Sequence, residues 1–135
     1  MSNGNLLEPQ GIYTVNIRSA QKIRLNYGIH VEDITVKTGN LAFAPTWQMV
    51  LDYKGGRLSE QEYTEQYKQM MRHSYNENRQ EWERLLSIQQ LALACYCPKK
   101  NFCHRHLLAR MLESIHISRG NEVCLYGEIL HETVY

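Results

Sequence analysis

Apolar and polar positions first alternate over residues 12–17, IYTVNI, with β-branched side chains at the spacing of a half-buried strand. The pattern lapses over residues 22–29, where Gly28 interrupts any helical reading, and this stretch reads as a connection. Residues 33–37, DITVK, give a second short strand closed by the turn cluster Thr38, Gly39 and Asn40. Beyond it the apolar period lengthens from two to between three and four. Thr46 is placed to cap a helix over 47–54, which Gly55 and Gly56 stop. Ser59 and Glu62 have the spacing of a capping box and open a long helix to about residue 76. Its Tyr63, Tyr67, Met70, Met71 and Ser74 share one side. Residues 78–86 form a further amphipathic helix with Trp82, Leu85 and Leu86 inward.

The most apolar run, residues 90–97 (QLALACYC), reads as the third and most central strand. A helix over 103–117 follows, with Leu107, Leu108, Met111, Leu112 and Ile115 as its apolar stripe. Gly120 and Asn121 turn the chain into a last strand over 122–126. Strands that alternate with helices pair in parallel through crossover connections. The expected architecture is therefore a small three-layer Rossmann-like α/β domain with a mainly parallel sheet flanked by helices. It spans residues 11–135 as a single domain, preceded by a flexible leader over 1–10 that is polar and carries Gly4 and Pro9.

Composition narrows the function more than the fold. A hydrophobic fraction of 43% and a charged fraction of 21% are those of an ordinary globular chain. The net charge of +1, without a basic stripe, argues against a duplex nucleic acid partner and leaves room for a small anionic ligand. No apolar run reaches membrane-span length and the first residues lack signal-peptide regions, so the expected setting is cytoplasmic. There the four cysteines are expected as free thiols. The nine tyrosines serve first in packing, and tyrosine-rich surface helices permit a homodimer.

In an open α/β sheet, ligands bind where the carboxyl ends of the strands meet loops and helix N-termini. That rule gathers Arg18 and Ser19 after the first strand, Lys37 and Thr38 after the second, and Cys97 through Arg105 after the third. Free N–H groups at the start of the helix near Cys103 favour an anion, and Arg18, Lys37 and Arg105 add charge. Cys103 beside His104 and Arg105 has surroundings that favour a thiolate nucleophile, with Cys103 or His104 in the chemistry; the alternative is that Cys103 packs or caps the helix while His104 and Arg105 hold neighbouring loops. The chain lacks the phosphatase loop, since the position that would hold its arginine is Ala109. Cys95, Cys97, Cys103, His104 and His106 invite a zinc reading, yet paired C-x-x-C knuckles are missing and Cys95 is expected to face the core, so no metal and no cofactor are expected. Phe43, Trp47, Tyr53, Tyr63 and Tyr67 could line an aromatic cleft; of these, Phe43 and Trp47, flanking Pro45, are the rim candidates. Asp33, Glu128 and Glu132 show no evident partner and offer no acid/base pair.

The segment LACYCPKKNFCHRHLLARML resembles the C-terminal signature of the "domain of unknown function 488" family, in which a hydrophobic strand with a cysteine leads to Cys-His-Arg and a helix. DITVKTGNLAFAPTWQMVLDYKGGRLSEQEYTEQY resembles that family's middle region through its Pro-x-Trp and Tyr-x-x-x-Tyr, and IYTVNIR is compatible with its first strand. The resemblance covers residues 11–117. It implies a Rossmann-like fold with Cys103, His104 and Arg105 at the site end of the sheet, Pro45 and Trp47 as companions, and a phage or small bacterial source; it implies no particular activity.

Three functions fit this reading. The chain binds a small phosphorylated or nucleotide-like molecule, sequestering it; or it is a hydrolase or transferase acting on a nucleotide, nucleoside or base through Cys103 and His104; or it is a protein interaction module.

Overall fold

The computed structural model of the chain describes residues 9–96 and 102–129. Four strands, β1 (Gln10–Asn16), β2 (His30–Asp33), β3 (Gln90–Cys95) and β4 (Val123–Glu128), form one sheet in the order β2-β3-β1-β4, and every pairing is parallel. Five α-helices connect them: α1 (Ala20–Tyr27), α2 (Trp47–Lys54), α3 (Glu60–Glu77), α4 (Arg79–Leu86) and α5 (His104–Ser118).

The sheet's two faces carry different cores, and β3 shows why. Its alternate side chains Leu91 and Leu93 join the larger cluster, which includes Phe43, Tyr67, Trp82 and Leu108 from the segments after β2. Ala92 and Ala94 point the other way, into a smaller cluster with Ala20 and Ile23 of α1, Val15 and Val31. Thus α1 covers one face, while α2 to α5 cover the other, giving the three-layer Rossmann-like α/β domain that the sequence pattern predicts. The alanine side of β3 lets α1 approach closely; the leucine side meets bulky aromatic residues.

Local signals place the helix ends as expected. Thr46 Oγ1 accepts from the Met49 N–H at 3.1 Å to start α2, and Ser59 and Glu62 form the reciprocal capping box at the start of α3. Tyr63, Tyr67, Met71 and Ser74 form the buried face of α3, and Trp82, Leu85 and Leu86 that of α4. On α5 the buried face takes in Leu108, Ala109 and Leu112 but also Arg105 and His116, polar positions that an apolar stripe does not reveal.

Two expected elements differ. The stretch read as a connection over 22–29 belongs largely to α1, whose C-terminal side is closed by Gly28 at φ +65. Gly28 therefore ends a helix and does not interrupt one. The second strand runs His30–Asp33 and stops where residues 33–37 were expected to begin it. Asp33 Oδ1 accepts from the Thr35 N–H at 2.9 Å, Thr38 Oγ1 donates to Asp33 Oδ2 at 2.6 Å, and the Asn40 N–H returns to the Asp33 carbonyl at 2.9 Å. These side-chain bonds offer the backbone a turn in place of a ladder. Gly39 closes the turn because a Cβ there would lie 2.6 Å from Asp33 Oδ1.

Residues 1–8 of the expected leader lie outside the described residues, and Gln10 already opens β1, with its amide donating to the Leu86 carbonyl at 2.8 Å. Among the described residues no helix is long and apolar enough to cross a membrane.

Candidate functional site

At the carboxyl end of β3 the chain leaves the sheet at Tyr96 and returns at Phe102, one residue before Cys103, the N-cap of α5. Cys103 has extended backbone (φ −159, ψ 149) and its side chain makes no capping bond, while its carbonyl accepts from the His106 N–H at 3.1 Å. The sulfur is therefore free to face the end of β3. There it meets the sulfur of Cys95 in direct contact, with the two Cα atoms 8.0 Å apart. That backbone separation exceeds the usual disulfide span of about 4.4–6.8 Å.

His104, the first residue of α5, is fully buried and fixed from both sides of its ring. Its Nε2 lies 2.7 Å from the Ile34 carbonyl, which can only accept, so Nε2 carries the proton. Nδ1 is then an unprotonated acceptor, and it lies 3.6 Å from Cys103 Sγ. Burial pushes the His104 pKa down to about 4; the Ile34 hydrogen bond works in the opposite direction, and the neighbouring Arg105 and His106 charges add to the lowering. The imidazole is neutral at pH 7. A neutral ring with its lone pair on a thiol is the arrangement by which histidine accepts a thiol proton.

Arg105 is 0% exposed. Its Nε and Nη2 donate to the two Glu128 carboxylate oxygens at 3.1 and 3.2 Å, and Nη1 donates to Cys95 Sγ at 2.8 Å. Glu128 Oε1 also accepts from Thr14 Oγ1 at 2.6 Å. The parallel pairing of β1 with β4 sets this up, because Thr14 and Glu128 are register partners. A buried guanidinium is tolerable only with such compensation. Its position against Cys95 favours negative charge on that sulfur. Glu128 and Asp33, read from the sequence as carboxylates without partners, are both engaged, Glu128 by Arg105 and Asp33 by Thr35 and Thr38. The Glu128 partnership depends on strand register, which no local signal carries.

Cys95, Cys103 and His104 lie on a cavity of about 570 Å³. Its walls come from the turn after β2 (Thr35, Val36, Lys37), from Pro45 and α2 (Trp47, Val50, Tyr53, Lys54), and from α3 (Glu60, Tyr63), with Tyr96 and Phe102 at the mouth of the β3–α5 connection. Of the predicted site residues, the structure brings together Lys37, Pro45, Trp47, Cys103 and His104. It places the others elsewhere. Phe43, expected at the rim, is buried in the core edge-on to Trp82 with ring centroids 5.2 Å apart. Tyr67 is likewise internal and donates to the Phe43 carbonyl at 2.7 Å. Thr38 spends its hydroxyl in the Asp33 turn. Arg18 and Ser19 sit in a short 3-10 turn after β1 and do not line the cavity, with Arg18 exposed and its N–H donating to Asn16 Oδ1. Arg105 stands behind Cys95 and does not line the cavity. Cys97 lies outside the described residues.

The cavity also collects residues that sequence reasoning assigns to the core or does not single out. Tyr53 and Tyr63, at helical spacings that read as core, pack against Phe102, Tyr53 tilted at a centroid distance of 5.4 Å and Tyr63 edge-on at 5.3 Å. Lys54 joins Lys37 as a second cation on the wall, which Glu60 also lines, its carboxylate accepting from the Tyr53 hydroxyl at 3.2 Å. A second cavity, about 650 Å³ between α3 and α5, is lined by Lys68, Arg72 and Arg119 among others and holds none of the predicted site residues.

The family model described as "Active DUF488-N3 subclade" matches residues 17–116. Searches of curated proteins and of solved structures return no match.

Proposed function

The chain belongs to the DUF488 family, and because Cys103 and His104 of its Cys-His-Arg line this cavity, we propose that the protein binds a small anionic, nucleotide-like molecule there. The observation that carries the reading is the convergence of Lys37 and Lys54 with the aromatic rings of Trp47, Tyr53, Tyr63 and Phe102 around one space of about 570 Å³. That volume suits a small organic ligand, since such sites run to about 300–1,000 Å³. Aromatic walls offer a stacking surface to a flat base, and two lysines offer point charges to phosphate or carboxylate. Arg105, committed to Glu128, supports the site from behind.

Trp47 makes the reading measurable. It is 53% exposed and lines the cavity, whereas the other tryptophan, Trp82, is buried. Titration with a panel of nucleoside mono-, di- and triphosphates is expected to quench Trp47 fluorescence and to raise Tm, a ligand at a hundred times its Kd adding about 2.7 kcal/mol. Trp47→Phe removes the quench but retains the Tm shift, and Lys37→Ala weakens both. If no nucleotide or inorganic anion at millimolar concentration moves either signal, the binding proposal fails.

A second reading has its own observation. The His104 Nδ1 lone pair faces Cys103 Sγ, which supports a hydrolase or transferase that attacks a nucleotide, nucleoside or base with Cys103 while His104 accepts the thiol proton. The word "Active" in the family model's description sits with this reading. Incubation of the same panel followed by mass spectrometry tests it: a changed molecule that disappears with Cys103→Ser supports turnover, and quantitative recovery of every ligand refutes it.

A further inference from the structure

Cys95, Cys103 and His104 come from the end of β3 and the start of α5, and the Sγ atoms and one ring nitrogen all lie within 4.8 Å of one another. From this juxtaposition we infer that the three residues form a binding site for one thiophilic divalent cation of the zinc type, at the floor of the cavity.

Four features support the assignment. The donor set, two sulfurs and an imidazole, is the one zinc prefers, and three protein ligands with a fourth position open is the pattern of zinc sites that bind exogenous ligands. All three residues line the cavity, so that fourth position faces its interior. The histidine is already arranged as a ligand. Its Nε2–H is held by the Ile34 carbonyl at 2.7 Å, which leaves Nδ1 as the lone-pair atom beside Cys103 Sγ. Metal-bound histidines almost always anchor the second ring nitrogen this way. Arg105 Nη1, 2.8 Å from Cys95 Sγ, stabilises that sulfur as the thiolate a metal requires.

The backbone also suits an ion better than a direct sulfur bridge. Cα atoms 8.0 Å apart exceed the disulfide range of about 4.4–6.8 Å. With zinc–sulfur bonds of about 2.3 Å, tetrahedral geometry puts two ligating sulfurs roughly 3.7 Å apart. The touching sulfurs therefore separate by side-chain rotation to admit the ion. The sequence offered five thiol and imidazole groups without a recognisable knuckle; among the described residues three of them come together, because β3 delivers Cys95 to the face on which α5 begins. The inference does not depend on what organic molecule the cavity holds. It does compete with cysteine catalysis, since a cation on Cys103 occupies the sulfur that would attack.

The test uses tag-free full-length protein purified under anaerobic, reducing conditions, loaded with zinc and dialysed against metal-free buffer. Elemental analysis is expected to give about one zinc per chain. Cobalt substitution is expected to give a tetrahedral d–d spectrum with a thiolate charge-transfer band. In native protein, Cys95 and Cys103 should react with a thiol reagent at least about tenfold more slowly with zinc than without, a readout that needs no variant. Cys124→Ser should retain the metal, and Cys103→Ser and His104→Gln should lower its affinity tenfold or more while circular dichroism stays native. If either variant unfolds, the wild-type thiol-protection measurement decides alone. Natively folded protein that retains no zinc and shows no protection overturns the inference. So does a cobalt spectrum without thiolate bands, or a Cys95–Cys103 disulfide found by mass spectrometry in protein kept anaerobic and reduced.

Discussion

His104 should make the protein acid-labile in a defined window. Its pKa is about 4 in the fold, against 6.5 for an ordinary histidine, because burial disfavours the imidazolium. Between those values the unfolded chain takes up a proton that the folded chain refuses, so stability rises with pH there. The stabilisation is complete above about pH 6.5 and is lost as pH falls towards 4. The full difference corresponds to roughly 3 kcal/mol, and integrating from pH 7 to pH 5 gives a loss of about 2 kcal/mol. That is a large share of the roughly 5–15 kcal/mol that stabilises a typical domain. Urea unfolding of metal-free, reduced protein at pH 7 and pH 5 measures it, and His104→Gln supplies the reference, since glutamine keeps an amide donor for the Ile34 carbonyl and does not titrate. The wild type is expected to lose about 2 kcal/mol more than the variant over this interval. His106 and His116, whose pKa values are also lowered by burial, are present in both proteins. Equal losses, or an imidazole resonance of His104 titrating near 6.5, would refute the argument that burial holds the ring neutral.

The remaining predictions concern single contacts. Arg105→Leu leaves the Glu128 carboxylate without its bidentate partner and should cost about 3–5 kcal/mol in chemical denaturation, much of it regained in the double variant with Glu128→Leu. Gly39→Ala forces a methyl against Asp33 Oδ1 and should lower stability by about 1–3 kcal/mol; an unchanged unfolding midpoint would show that the turn yields. Ser59→Ala removes one half of the α3 capping box and should cost about 1 kcal/mol without affecting ligand binding, as measured by urea unfolding alongside the nucleotide titration. Trp47→Ala, at an exposed position, should leave Tm within about 1 °C, a change of a few tenths of a kcal/mol, while abolishing the fluorescence response to ligand.

What the sequence determined by itself was whatever local physics controls. The caps at Thr46 and Ser59, the stops at Gly55 and Gly56, the aromatic face of α3 and the apolar run of β3 follow from periodicity and side-chain hydrogen bonding over a few residues. They were enough to establish the parallel α/β class and to put Cys103, His104, Lys37, Pro45 and Trp47 at the site end of the sheet. The sequence went astray where a local competition or a distant partner decides. Asp33 and Thr38 bond to nearby backbone and side chains and turn the chain away from the ladder, so the second strand ends where an alternating pattern suggests it begins. Phe43 stands two residues from Pro45, yet one enters the core and the other the cavity wall. Only the tertiary structure decided which titratable groups meet. Strand register sets Glu128 beside Thr14, α5 brings Arg105 to both Glu128 and Cys95, and the return of the chain from β3 brings the sulfurs of Cys95 and Cys103 together under the His104 ring. Each of those contacts joins residues of different elements, and spacing along a chain does not encode how elements align.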